Sequence, residues 1–457
     1  MTLTQRRLYF ALLAAAFLIG TPLVILYSSG YRMNWGTGSL EKTGGVYIGA
    51  YPKGTDIRID GALKGTTSTF LLSQGKLVSR LTPARHAVRV EKSGFAPWEK
   101  TLDIEPNKVT EARNIFLAPL EKQAIIIALA INGFIISDSH ALIAFVQKEG
   151  ITVLDVSTNA ATLIPRAEGE SIGKINFGSD ENYLIIESLQ KNKTRKYVLN
   201  RDTGTVTDIP EDEMEQYMKL KQYPGGQKKL VALSDQNALY ALDLDTPGEK
   251  TVLARNVSNF ELFGSKVMYA TITPTILYEK DLASGETTQI TRTPLENFDN
   301  AGKMLRSDDG HIAIIDSKKT LFLYDNEKNA FNQIARNVLK AAFSSDKKKL
   351  LYQNQNELYV LYLRDILIQP YKKIGDIELI TRFSRPIQNS EWFAYDNEHI
   401  LFTTEGKLKL TELDGRDERN THDVIAVKSS SKIIYNSYDD TIYFLDGTTL
   451  KKISLLE

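Results

Sequence analysis

The sequence contains no cysteine, which excludes disulfides, thiolate metal sites, a cysteine nucleophile and a lipidated N-terminal cysteine. Histidine is scarce. The five residues His86, His140, His311, His399 and His422 are scattered and never spaced as a zinc-binding pair. Excess charge is also missing: Lys+Arg and Asp+Glu both total 56. That balance gives no overall basic footprint for DNA or RNA, and leaves room only for a local basic patch. There is no G-x-S-x-G elbow, glycine-rich phosphate loop or dinucleotide fingerprint. Catalytic, cofactor and metal residues are therefore left unassigned. What remains is a chain of 457 residues, 42% hydrophobic and 25% charged. It is neither disordered nor polytopic, and its length allows about two to four domains.

One long apolar run is present. From Leu8 to Tyr27 no residue is charged, and a helix of that length spans roughly 30 Å, the thickness of a bilayer core. Its apolar surface would be Leu8, Tyr9, Phe10, Leu12, Leu13, Phe17, Leu18, Ile19, Leu23, Val24, Ile25, Leu26 and Tyr27. Gly20 and Pro22 suit a membrane helix better than a soluble one. Arg6 and Arg7 precede it, so the positive-inside rule puts the N-terminus in the cytoplasm and the remainder outside. Tyr27, Tyr31 and Trp35 suit the outer interface, while Arg32 slightly weakens the charge asymmetry. The competing reading is a cleaved signal peptide ending near Ser28, Ser29 and Gly30, although the run exceeds the usual h-region. Either reading exports the rest of the chain.

Residues 31–44 are rich in Gly, Thr, Ser, Asn and Lys and read as a linker. Short alternating runs then predict half-buried strands at 46–48, 56–59, 86–90, 101–104 and 112–117, with Asp60-Gly61 as a tight hairpin turn. The series Pro52-x-Gly54, Asp60-Gly61, Gly65-Thr66, His86 to Val90 and Gly94-Phe95 resembles the PEGA domain. Thr67 and Ser68 stand where that family has proline, and Arg85 where it has glycine. The resemblance implies a small β-sandwich of prokaryotic surface proteins over 45–120, without catalysis. His86 reads as a structural position, and Trp98 as a cover for one sandwich edge.

Beyond about Lys122, pairs of apolar strands recur eight times. They are 142–146 with 151–155, 183–186 with 196–200, 230–233 with 239–243, and 267–270 with 276–279. The series continues with 312–315 and 321–325, 350–352 and 358–361, 400–402 and 408–410, and 433–435 and 442–446. The mean spacing of about 42 residues is that of a four-stranded propeller blade. Such blades cannot bury both faces alone and close into a ring. Ser344-Ser345-Asp346 leading to Leu350-Leu351-Tyr352, with turns at Asp202-Thr203-Gly204 and Ser284-Gly285, resembles the TolB-type, WD40-like repeat. Asp243-Leu244-Asp245 and Asp439-Asp440 read as turn residues, not calcium ligands. The cluster from Glu211 to Glu215 reads as a solvated insertion between blades.

The expected fold is therefore all-β: a cytoplasmic tip and signal-anchor helix at 1–30, a linker at 31–44, a PEGA-like sandwich at 45–120, and a seven- or eight-bladed propeller at 121–457. The expected role is a single-pass, extracytoplasmic binding scaffold of the cell envelope, with a protein or glycan partner and no nucleic acid. The alternative is a glycan hydrolase using carboxylates in the propeller channel, which would leave no motif.

Overall fold

The computed structural model describes residues 3–34, 38–67, 75–191, 193–210, 216–223, 226, 228–246, 249–292, 294–295, 301–428 and 432–456. Trp35, Ser68, Glu211 to Glu215, Pro247 and Gly248 lie outside them. The chain runs as one helix followed by strands only. The helix, Leu3–Ser28, contains Pro22. Its segment Gln5–Ser28 has a mean hydropathy of 2.3 and no surface covered by protein. Leu13 and Phe17 are about 70% exposed, and the helix's length and apolarity fit a membrane span or a signal sequence alike. The segment read as a linker is structured. Strands Tyr31–Asn34 and Ser39–Lys42 pair as a hairpin, and Arg32 folds back so that its guanidinium lies 3.6 Å from the Tyr27 ring centroid.

Seven strands from Gly44 to Phe116 form a sandwich of a three-stranded and a four-stranded sheet. Alternate residues such as Ile57, Ile59, Val88, Val90, Leu102 and Ile104 fill the space between them, as period-two patterning requires. Asp60-Gly61 joins Asp56–Ile59 to Ala62–Thr66 with both φ values positive, the geometry of a two-residue hairpin turn. His86 is bonded on both ring nitrogens, to the Asp60 carboxylate at 2.6 Å and the Thr82 carbonyl at 2.8 Å. Gly54, Gly65 and Gly94 all hold positive φ, and Phe95 bridges to Pro119.

The rest of the described chain forms eight four-stranded antiparallel sheets, blades 1 to 8 in chain order, so the ring has eight blades. Second strands such as Leu142–Val146, Ile312–Asp316 and His399–Thr404 are buried along nearly their whole length. Each lies mid-blade with a neighbouring blade on either face, which is why these strands read as apolar runs. Fourth strands such as Ala161–Pro165 are mostly exposed. Blade 8 departs from the repeat: its strands Ile433–Asn436, Thr441–Asp446 and Thr449–Ser454 are first, second and third, and Ile125–Ala128 supplies the outermost. The last strand pair recognised in the sequence is thus first and second, whereas the other seven are second and third. Closing the last blade with an N-terminal strand ties the two ends of the ring together. Turns between first and second strands link round one rim. Ser139 donates to Glu181, Ser345 to Asn397, and the Ser437 amide to His140.

The sandwich is fixed to blade 7. The Trp98 indole N–H donates to Glu412 Oε2 at 2.8 Å. The ammonium of Lys100 lies 2.8 Å from Glu412 Oε1 and within 3.0 Å of the carbonyls of Asp414, Arg416 and Glu418. The Lys100 side chain is 0% exposed and that of Glu412 4%. Trp98 therefore does more than cover an edge, since it joins two domains. Trp98 and Lys100 lie on an edge strand of the four-stranded sheet, and Thr101 N donates to Asp417 there, so the propeller caps that edge. Tyr51 and Phe116 stack on one another at 5.2 Å, and Phe116 packs edge-on against Phe393 of blade 7 at 4.9 Å. Removing Glu412 would strand a buried ammonium. Glu412→Ala is expected to destabilise the docked state by about 3–5 kcal/mol, seen as a lower first unfolding transition in detergent. Replacing Lys100 and Glu412 together by Met and Leu should cost less than Glu412→Ala alone.

Candidate functional site: the propeller channel

First strands of successive blades lie against one another and so line the axis of the ring. Most carry lysine at one equivalent place. The same bulge in the ladder sets Lys174 in blade 2, Lys219 in blade 3, Asn259 in blade 4 and Lys303 in blade 5 at matching positions. Lys340 opens the first strand of blade 6 and Lys432 precedes that of blade 8.

Two of these lysines have a built seat. Lys219 reaches across to blade 4, donating to Asn259 Oδ1 at 2.9 Å, the Phe260 carbonyl at 2.6 Å and Glu261 Oε1 at 2.6 Å. Lys221 pairs with the other oxygen of Glu261. The arrangement recurs between blades 6 and 7. Lys340 donates to Asn389 Oδ1 at 2.9 Å, the Ser390 carbonyl at 2.5 Å and Glu391 Oε2 at 3.1 Å. In an Asn-x-Glu tripeptide on a strand, residues one and three face the same side, so both side chains converge on the incoming ammonium. Lys432 has a different seat, the Phe134 carbonyl at 2.7 Å beside the Phe134 ring.

The seat is missing for the other two. The tripeptide facing Lys303 is Lys340-Ala341-Ala342, and that facing Lys174 is Lys219-Leu220-Lys221. Among the described residues neither lysine has a carboxylate partner. Both are exposed to the channel. Burial of the surroundings pushes Lys303 below the ordinary lysine value, Lys340 adds to that, and Glu391 and Glu261 oppose it. Lys432 is lowered by the same causes, burial and then Lys340. Lys219 is lowered by burial against the pull of Glu261. Burial pushes Glu261 the other way, but Lys221 and Lys219 outweigh it and hold the carboxyl below its usual value. Groups on blades 4 to 8 thus feel one another across one shared space.

On the side of blades 1 to 4 this space widens into a cavity of about 600 Å³. Lys174, Lys196, Lys219 and Lys221 line it together with Asp138 and Glu187. Among the described residues, no cluster of three or more His, Asp or Glu able to hold a metal comes together. Asp439 and Asp440 accept from the hydroxyls of Tyr443 and Tyr435, and Asp243 and Asp245 pair with Lys229 and Lys228. The residues singled out in the sequence lie in the helix and the sandwich, away from this channel. The channel lysines were legible as residues but not as a site, because first strands lack the apolar run that marks each repeat.

Comparison with known proteins agrees with this division of the chain. Residues 43–116 match the PEGA domain. The chain carries a PEGA domain between an apolar helix and an eight-bladed propeller. Solved structures that resemble it include the C-terminal WD40 domain of Sif2, at 10% identity over 73% of this chain and 98% of that one, TM-score 0.49. The Dos1 propeller matches at 11% over 74% and 95%, TM-score 0.47. The WD40 domain of SCAP from fission yeast matches at 9% over 74% and 98%, TM-score 0.45. The assignment of a propeller rests on the chain's own sheets. No curated protein sequence matches the chain.

An unseated charged lysine costs stability. Lys303→Met is therefore expected to raise the unfolding temperature at pH 7, by at most about 1 kcal/mol because channel water screens the charge. The folded-state value of Lys303 is depressed, so the cost is present while the group is charged. It disappears as pH rises toward about 10.4, where the unfolded-state lysine also loses its proton. Thermal melts of both proteins between pH 7 and 10.5 should converge.

Proposed function

We propose that this chain is a non-enzymatic scaffold of the cell envelope, anchored by one helix, with the PEGA domain and propeller outside the cytoplasm. The propeller fold supports an interaction scaffold. The observation that carries the reading is the fixed seat of the PEGA domain on blade 7, through Trp98, Lys100 and Glu412. A propeller held rigidly by the element next to the membrane presents its channel and rim at a set distance and orientation. A protein or glycan is the partner class that such a rim suits.

Topology supports an accessible rim as well. Strands in each blade are antiparallel, so first-to-second turns and third-to-fourth connections emerge on one rim. The PEGA domain seats on that rim, over Tyr395 and the stretch Asp414 to Glu418 of blade 7. The opposite rim is left for a partner. Two of the channel carboxylates are committed to lysines: Glu261 is paired with Lys219 and Lys221, and Glu391 is bonded to Lys340, which leaves Asp138 and Glu187 at the cavity as the acids a catalytic role would need. A glycosidase of the usual kind needs one protonated and one free carboxyl group facing the substrate.

The absence of cysteine gives a direct test of orientation. Glu286→Cys, in an exposed propeller turn, should react with a membrane-impermeant maleimide on intact cells or spheroplasts, and Thr4→Cys only after lysis. Labelling in the opposite order would overturn the extracytoplasmic assignment. Turnover of glycan oligosaccharides by the purified full chain, abolished by Asp138→Asn or Glu187→Gln, would overturn the non-enzymatic one.

A further inference from the structure

In blade 6 the third and fourth strands, Glu357–Tyr362 and Ile377–Arg382, are joined by residues 363–376. Ile366 and Lys372 pair across this connection and make it a small hairpin. A surface loop is ordinarily polar, since nothing there covers an apolar side chain. This tip is different: Leu367 is 83% exposed, Tyr371 67% and Ile374 68%. Its two carboxylates are turned onto its own backbone. Asp365 accepts from the Ile374 amide and Asp376 from that of Lys373, both at 2.8 Å. Lys373 is exposed and has no carboxylate partner among the described residues.

The hairpin is held against the PEGA domain. Ile368 and Pro370 line a crevice with Ala112 and Ile115 of the last sandwich strand, Val109–Phe116. Gln369 Oε1 accepts from the Glu111 amide at 3.1 Å. Lys108 is held above the ordinary lysine value by its bond to Glu105 and, more weakly, by the nearby Tyr371. The hairpin thus runs along that strand toward its first residues. They form the end of the sandwich at which the helix enters. There the Gly45 amide donates to the Lys108 carbonyl at 3.0 Å and the Asn107 amide to the Thr43 carbonyl at 3.1 Å. Thr43 in turn donates, through its amide and its hydroxyl, to the carbonyl of Gly30, just past the helix. Arg80, on the neighbouring strand Gly75–Leu81, stands 5.7 Å from the ring centroid of Tyr27 in the last turn of the helix. One end of the PEGA domain therefore collects both the foot of the helix and the apolar tip of blade 6.

A helix inserted to its last turn sets whatever stands beside that turn at headgroup level. Apolar side chains sink below the headgroups there, tyrosine settles among them, and lysine meets anionic lipid. The tip carries those side chains. We infer that the hairpin at 366–374 is a second membrane contact, with Leu367, Tyr371 and Ile374 seated in the outer interface of the bilayer that holds the helix. This rests on the anchored reading of the chain. The occupant is lipid because a bilayer is the one apolar surface that lies beside the helix foot whenever the helix is inserted. Helix and hairpin together would set the tilt of the propeller over the membrane.

With no native cysteine, single cysteines carrying the fluorophore NBD report on this directly. The full chain is placed in nanodiscs of equal parts phosphatidylcholine and phosphatidylglycerol, with lipid bearing a doxyl group high on its acyl chain as quencher. Reporters are Leu367→Cys and Ile374→Cys on the tip, and Ile25→Cys on the helix. Lys148→Cys, in an exposed turn on the opposite rim, is the aqueous control. Quenching at Leu367→Cys and Ile374→Cys is expected to exceed that at Lys148→Cys by roughly two-fold or more. Tip reporters quenched no more than the control, with Ile25→Cys quenched, would overturn this contact and leave the anchor standing. Ile25→Cys unquenched would overturn the anchored reading and the contact with it. Tip reporters that shift only when envelope protein is added, and not with lipid, would mark a protein partner and overturn the lipid contact.

Discussion

Lys100 reaches from the edge of the PEGA domain into blade 7, where its ammonium is sealed from solvent against Glu412 and three backbone carbonyls. Taking a charged pair out of water is costly, and the attraction between partners offsets the cost only when the geometry is close and the remaining hydrogen bonds are made. Here they are. Both partners would regain water on undocking, but the apolar contacts of Tyr51, Phe116 and Ala118 with blade 7 around Phe393 would be lost at the same time. The apolar contacts supply attraction, and the buried pair fixes the one orientation in which they can be used. That is what makes the PEGA domain and the propeller one body behind the apolar helix.

The channel obeys the opposite logic. Where a lysine on a first strand is structural, the next blade answers it with Asn-x-Glu, and the pair helps hold neighbouring blades together. Where it is not answered, as at Lys174 and Lys303, the next blade offers lysine, leucine or alanine in place of Asn-x-Glu. Seated and unseated lysines share a strand position, so the contrast does not arise from differing backbone geometry.

Much of this was legible in the sequence, and the exceptions have physical causes. The apolar helix, the Asp60-Gly61 turn and the second strands of the blades announced themselves because each is dictated by local pattern or by complete burial. The seat of Lys100 was not visible. A lysine in an alternating strand looks like any solvated residue until a partner more than three hundred residues away in sequence covers it. The eighth strand pair was placed one strand out of phase for a related reason. Its outermost strand, Ile125–Ala128, lies at the far end of the propeller sequence with Ile125 and Ile126 mostly exposed, so nothing local marks it as part of blade 8. First strands were passed over because they face the channel on one side and carry lysine, asparagine and glutamate there. The pattern that identified the repeat was therefore weakest where the chemistry lies.

Blade 7 is where the two constraints meet. Its first strand carries the Asn389-x-Glu391 seat that receives Lys340 from blade 6, and its third strand ends at Glu412, which receives Lys100 from the PEGA domain. Three hydrogen-bonded strands, the first to the third, span the distance between them, with Trp392, Ile400, Phe402 and Leu410 buried along the way. A close-packed sheet of this kind transmits a displacement at one edge to the other, since its interior has no space to absorb it. The backbone that closes the ring at the channel is thus the backbone that positions the ring on the PEGA domain. A change at either lysine seat would be borne by the same sheet.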